Sequence, residues 1–177
     1  MMVVYGLANA VTAAAVGLVW YQNRRHFSGL SLWLVNFVLQ TGTIVLFILR
    51  GYIPDLLSMT VSNTMAMGGI IALYIGLERF TGRESSQTHN YALLAVFGAV
   101  SAYFTVIHPN LAVRNILVTI MTLVLTGQVA WLLLYRVGPD LRPLTAITGA
   151  VIAAYAAVTL ARLVLSIIFP TTSGDFF

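Results

Sequence analysis

Arg162 is the residue whose position most demands a reason. It lies within a long apolar run, about eight residues before Pro170. That puts it roughly 12 Å from the end of a helix rising 1.5 Å per residue. A guanidinium near the centre of a spanning helix costs about 2.5–3.5 kcal/mol on insertion scales. One reading turns Arg162 toward the bundle or a watery cavity, where it binds an anion or pairs with a carboxylate. Asp55 is the only acid near that side besides Asp175. The other reading lets the long stem snorkel to the outer headgroups. Tyr103, His108 and Arg114 fall near the ends of two consecutive apolar runs. With Arg50 and Arg162 they could form an outward-facing basic pocket for a small anionic or amphipathic ligand. The plainer alternative is that aromatic and basic residues at helix ends anchor the interface. Asn63 completes the ligand candidates. Like Asn36, Gln40 and Gln128, it is an amide inside an apolar run. Interhelical hydrogen bonding, averaging about 0.6 kcal/mol, is the ordinary use of such groups.

Other chemistry lacks its residues. With no cysteine there is no disulfide, thiolate metal site or cysteine nucleophile. His26, His89 and His108 have no second ligand at metal-site spacing. No serine sits in a nucleophile elbow, no glycine-rich phosphate loop follows a strand, and the apolar runs hold no paired carboxylates. No catalytic residue, metal or cofactor is assigned, and an enzyme is not expected.

The elements that hold these residues follow from composition. Of 177 residues, 59% are hydrophobic and only 8% charged, with a mean hydropathy of +0.92. A water-soluble domain needs more charge to cover its surface, so the chain belongs to the membrane class and the lipid bilayer is its first partner. The pI of about 9.8 does not point to nucleic acid, because the arginines are scattered between apolar runs and lysine is absent.

A spanning helix needs about 20 mostly apolar residues. Six such runs occur: Val3 to Tyr21, Leu30 to Leu49, Leu56 to Leu77, Tyr91 to Ile107, Leu111 to Tyr135 and Leu144 to Phe169. The hydrophilic stretch Thr81 to Asn90 reads as a loop. The runs are continuous and too long for barrel strands, so they are helices. The first lacks a preceding basic region and is followed by Arg24-Arg25, which suits a retained helix rather than a cleaved leader. Gly68-Gly69, Gly76 and the face around Ala153-Ala154 and Ala156-Ala157 read as close helix packing. The expected fold is all-α: a polytopic integral membrane helical bundle of about six transmembrane helices.

Arginine placement orients it. Arg24, Arg25, Arg79, Arg83, Arg136 and Arg142 follow the odd-numbered runs, against Arg50 and Arg114 after the even ones. Six against two places the first set in the cytoplasm and the N-terminus outside. With six spans the tail also ends outside. Residues 1–177 are therefore expected to be a single transmembrane domain from a longer protein. An alternative rests on a faint echo at an offset of 85. Pro54-Asp55-Leu56 matches Pro139-Asp140-Leu141, and Gly42 matches Gly127. Two three-helix inverted repeats would make a small transporter or channel, with Arg162 as the substrate charge.

Residues 27 to 83 carry a further pattern. It runs through Phe27-Ser28-Gly29-Leu30 with Trp33, Leu39-Gln40, Leu49-Arg50-Gly51 and Ile53-Pro54-Asp55. Ser62-Asn63-Thr64 and Gly76-Leu77-Glu78-Arg79-Phe80-Thr81-Gly82-Arg83 complete it. This third of the chain resembles the N-terminal multi-helix membrane region of bacterial diguanylate cyclases (GGDEF proteins) and related sensory histidine kinases. The resemblance implies a multi-pass protein of the bacterial inner membrane. It also implies a sensory domain that relays an extracytoplasmic or membrane-borne signal to a cytoplasmic effector absent from this chain. It implies more helices than six, which agrees with the tail left outside. Cyclase activity does not carry over, because the catalytic portion is not in this sequence, and no ligand residue carries over either. A homodimer is compatible with signalling, though no motif specifies one. A third reading makes the chain an anchor in which every polar group serves packing.

Overall fold

A computed structural model of the chain describes residues 2–23, 29–83, 85–139 and 141–168. Six α-helices run in order: α1 (Met2–Asn23), α2 (Leu30–Ile48), α3 (Ser62–Phe80), α4 (Thr88–Val106), α5 (Leu111–Tyr135) and α6 (Arg142–Ile168). A π-helical segment, Leu56–Val61, leads directly into α3. Among the described residues there is no strand, only an isolated bridge between Arg50 and Ile53.

Among the described residues, five segments are long and apolar enough to cross a membrane: Leu30–Ile48, Leu56–Phe80, Thr88–Val106, Leu111–Tyr135 and Thr145–Leu165. The outer surface is apolar to match. Val4, Leu7 and Val11 on α1, Val96 on α4, and Val151 and Val158 on α6 are all well exposed. So much exposed aliphatic surface has no place in water.

The chain forms two compact units, Met1–Arg114 and Asn115–Phe177. In the first, α2 packs along both α1 and α3, and α4 packs on α3 and its π-helical entry. The α1 contact is fixed by Asn9, whose Nδ2 donates to Thr41 Oγ1 at 2.8 Å and to the Phe37 carbonyl at 3.3 Å. The α2–α3 seam is polar at intervals of one or two turns. Asn36 is buried, Gln40 Nε2 donates to the Ala66 carbonyl at 3.3 Å, and Thr43 Oγ1 donates to the Ser62 carbonyl at 3.1 Å. These three share one face of α2, and the amide Oδ1 of Asn36 stands 3.0 Å from where a Cβ on Gly69 would be. At the far end of the seam the backbones nearly touch. Gly29, with φ of 97°, starts α2, and a Cβ there would strike the Gly76 carbonyl. Close packing at Gly69 and Gly76 is thus as the small residues imply.

In the second unit, Thr145 Oγ1 donates to the Leu133 carbonyl at 3.2 Å, and Gly149 sits against the side chains of Leu133 and Leu134. Met121, Leu125, Val129 and Leu132 form a buried stripe along α5. The alanine face expected to pack closely on α6 is half-buried at Ala153 and Ala156 and exposed at Ala154 and Ala157.

The structure corrects several boundaries. Helix α3 runs to Phe80, three residues past the expected end. Helix α4 begins at Thr88, inside the stretch expected to be loop, because Asn90 is fully buried and donates from Nδ2 to Gln87 Oε1 at 2.7 Å. Helix α6 starts at Arg142 with Pro143 in its first turn, where a missing N–H costs nothing. The expected roles of Arg24, Arg25, Asp140, Phe169 and Asp175 lie outside the described residues.

Candidate functional site

The first unit gathers polar side chains at both ends of α3. At the start, the π-helical segment carries hydroxyls at alternate positions, Ser58 and Thr60, followed by Ser62 and Thr64 at the head of α3. A π turn shifts the backbone register and leaves carbonyls short of partners. The Ser62 hydroxyl compensates, lying 2.6 Å from the Ser58 carbonyl and 3.1 Å from that of Met59. The wider turn turns Thr60 toward α4, where its hydroxyl donates to Thr105 Oγ1 at 3.0 Å. Thr105 in turn donates to the Ser101 carbonyl at 2.7 Å.

Arg114, in the first turn of α5, closes this group. Its Nη1 lies 2.8 Å from Met59 Sδ and 3.4 Å from Thr105 Oγ1. Three elements therefore meet through four side chains: the π-helical entry through Met59 and Thr60, α4 through Thr105, and α5 through Arg114.

The turn between α4 and α5 frames a surface cavity of about 410 Å³ lined by Tyr103, Phe104, His108, Pro109 and Asn110. The Tyr103 carbonyl accepts the amides of Ile107 and His108, and Asn110 Oδ1 caps α5 by accepting the Val113 N–H at 3.1 Å. The Tyr103 ring lies 5.5 Å from the His108 ring and meets Phe104 edge-on at 5.2 Å. Arg114 and Thr105 sit outside that lining.

Of the expected ligand residues, Tyr103 and His108 are in ring contact and line the cavity, whereas Arg114 contacts Met59 and Thr105 instead. Asn63 is half-buried on α3, next to Ser62. Arg50 is exposed in the turn after α2, and no hydrogen bond among the described residues joins it to the group. Arg162 is exposed on α6, in the second unit. Among the described residues no three His, Asp or Glu side chains stand close enough to hold a metal ion.

No protein-family model, curated protein or solved structure matches the chain.

The other end of α3 holds a second network that the sequence did not announce. Glu78 is only 5% exposed. Its Oε1 accepts from the Tyr74 hydroxyl at 3.0 Å and from Ser85 Oγ at 2.7 Å, and its Oε2 accepts from Gln87 Nε2 at 2.6 Å. Through Gln87 the network reaches Asn90 on α4. Glu78 thus holds the α3–α4 loop against the helix end. Beside it, Trp33 packs on Phe80 at 5.6 Å. In sequence Glu78 reads as a helix terminator. Its partners Ser85 and Gln87 sit in the loop, so only the chain's return reveals the site. Thr60 and Thr105 were missed for a similar reason. The alternating hydroxyls from Ser58 to Thr64 were the available signal.

Proposed function

We propose that this chain is a membrane-embedded sensory domain with six spans, its N-terminus outside, in a bacterial inner membrane. It detects a signal at the α4–α5 end and relays it to a cytoplasmic effector outside residues 1–177. One observation carries the reading: the Thr60–Thr105–Arg114 linkage ties α4 and α5 to the π-helical entry of α3. A ligand that changes α5 or the α4–α5 turn pulls on that entry. Switching between π and α register there rotates or shifts α3. The far end of α3, roughly 24 Å away over 16 residues, holds the loop through Glu78, on the side that the arginine distribution assigns to the cytoplasm. The ligand then acts by favouring one helix packing over another.

The test is output. The native reading frame containing this chain is expressed beside a cyclic di-GMP or phosphorylation reporter, as wild type and as Thr105→Val. The reading expects altered output at unchanged membrane abundance. Unchanged output overturns it, as does a frame that encodes no effector. Anion flux in proteoliposomes that vanishes with Arg162→Ala would replace it with the transporter reading.

A further inference from the structure

We propose that Arg114 anchors a binding site for an oxyanion, a carboxylate or phosphate presented at the membrane interface. The assignment deepens the sensory reading and rests on it for what binding does. A guanidinium carries five N–H donors in a planar fork suited to two oxygens at once. Here only Nη1 is engaged. One partner is a thioether, a weak acceptor, and the other is a hydroxyl at the long limit of a hydrogen bond. That hydroxyl is shared, since Thr105 Oγ1 also accepts from Thr60 and donates to Ser101. Among the described residues Nη2 and Nε have no hydrogen-bond partner and Arg114 has no ion pair.

A guanidinium partly withdrawn from water gains from an opposite charge beside it. The described acids do not supply the partner. Glu78 is held by three donors at the other end of α3, and Asp55 is exposed. A second observation comes from the π-helical segment. Ser58, one residue before Met59, is fully buried, and its hydroxyl has no partner. The segment that Arg114 contacts through Met59 therefore holds a buried polar group without a partner. The surroundings favour negative charge. Arg114 lies in the first turn of a 25-residue helix, whose N-terminal amides add partial positive charge. Arg50 and Arg162, by contrast, are exposed.

An oxyanion offers Arg114 two charged acceptors in place of one sulfur and one shared hydroxyl. Its arrival recruits the open Nη2 and Nε and shifts Arg114 against Met59 and Thr105, which moves the π-helical entry. The oxyanion belongs either to an anionic lipid headgroup or to a soluble carboxylate or phosphate.

The experiment uses the full chain in nanodiscs. One arm compares phosphatidylcholine alone with phosphatidylcholine containing phosphatidylglycerol. The other titrates hexanoate and inorganic phosphate into phosphatidylcholine discs at constant ionic strength. Readouts are the unfolding midpoint and the lipids retained in native mass spectrometry. Saturable stabilisation is expected in one arm, and that arm names the source. Arg114→Gln weakens it roughly tenfold, the loss of a charge-assisted pair, whereas Arg162→Gln leaves it unchanged. Met59→Leu folds with its apolar volume kept and, by freeing Nη1, binds more tightly than wild type. The proposal is overturned if wild type saturates in neither arm, or if Arg114→Gln and Met59→Leu both bind as wild type does. Binding needs no effector. A site that binds while effector output ignores Arg114→Gln therefore sinks the relay and leaves the site standing.

Discussion

The indole of Trp33 occupies the space that a side chain on Gly76 would need: a Cβ there would lie 2.5 Å from Trp33 Cδ1 and 2.8 Å from Nε1. The Gly29 carbonyl stands 3.0 Å from the same point. Gly76→Ala must push a ring and a backbone at once, and overpacking of this kind costs about 1–3 kcal/mol. Gly127 is the control. A Cβ there meets nothing within 4 Å, so Gly127→Ala is neutral or stabilises by about 0.5–1 kcal/mol through helix propensity. Unfolding in detergent read by circular dichroism separates the two. Equal stability for both variants would refute the packing account.

Glu78 is expected to hold its loop by hydrogen bonding. Glu78→Ala leaves the Tyr74, Ser85 and Gln87 donors without their acceptor, a loss of about 1–3 kcal/mol for a buried unpaired group. The lower part of that range applies, because Ser85 is exposed and can turn to water. The sharper readout is local. Arg83 lies exposed in the freed loop, so trypsin cuts after it faster in Glu78→Ala, while Glu78→Gln, which keeps one acceptor oxygen, falls between. Wild-type cleavage rates in Glu78→Ala would show that the loop is held by something else.

The α2–α3 seam predicts small, graded losses. Gln40→Met removes one hydrogen bond to the Ala66 carbonyl but keeps the volume. Such bonds average about 0.6 kcal/mol inside membranes. Asn36→Leu should cost more, since wider methyl groups replace the amide atoms of a buried side chain whose Oδ1 faces Gly69. A larger loss for Gln40→Met than for Asn36→Leu would reverse the argument that shape, not polarity, dominates this seam.

These elements differ in how far the sequence discloses them. Runs of apolar residues mark spanning helices because lipid demands them continuously, so α5 appears from Leu111 to Tyr135 as expected. The sequence pattern starts α4 three residues late, because Thr88 to Asn90 look like loop residues until Asn90 is seen buried. The π-helical turn is invisible to hydropathy, since a change in hydrogen-bond register leaves the apolar pattern intact. That Tyr103 and His108 stand close is legible because both flank one short turn. Thr60 meets Thr105 across 45 residues, a tertiary contact that no local pattern shows. Arg162 stands out in the sequence by its depth alone, and the structure leaves it exposed on α6.

The absence of cysteine makes orientation testable without further engineering. Tyr52, 90% exposed after α2, and Ser86, exposed before α4, sit on either side of the spanning segment Leu56–Phe80. Single replacements Tyr52→Cys and Ser86→Cys therefore report opposite faces of the membrane. The arginine distribution puts Arg79 and Arg83, and with them Ser86, in the cytoplasm. An impermeant maleimide should label Tyr52→Cys in intact cells and Ser86→Cys only after permeabilisation. The reverse pattern would invert the bundle and place the Arg114 end inside. The signal would then have to be cytoplasmic, and the Glu78 loop would face outward.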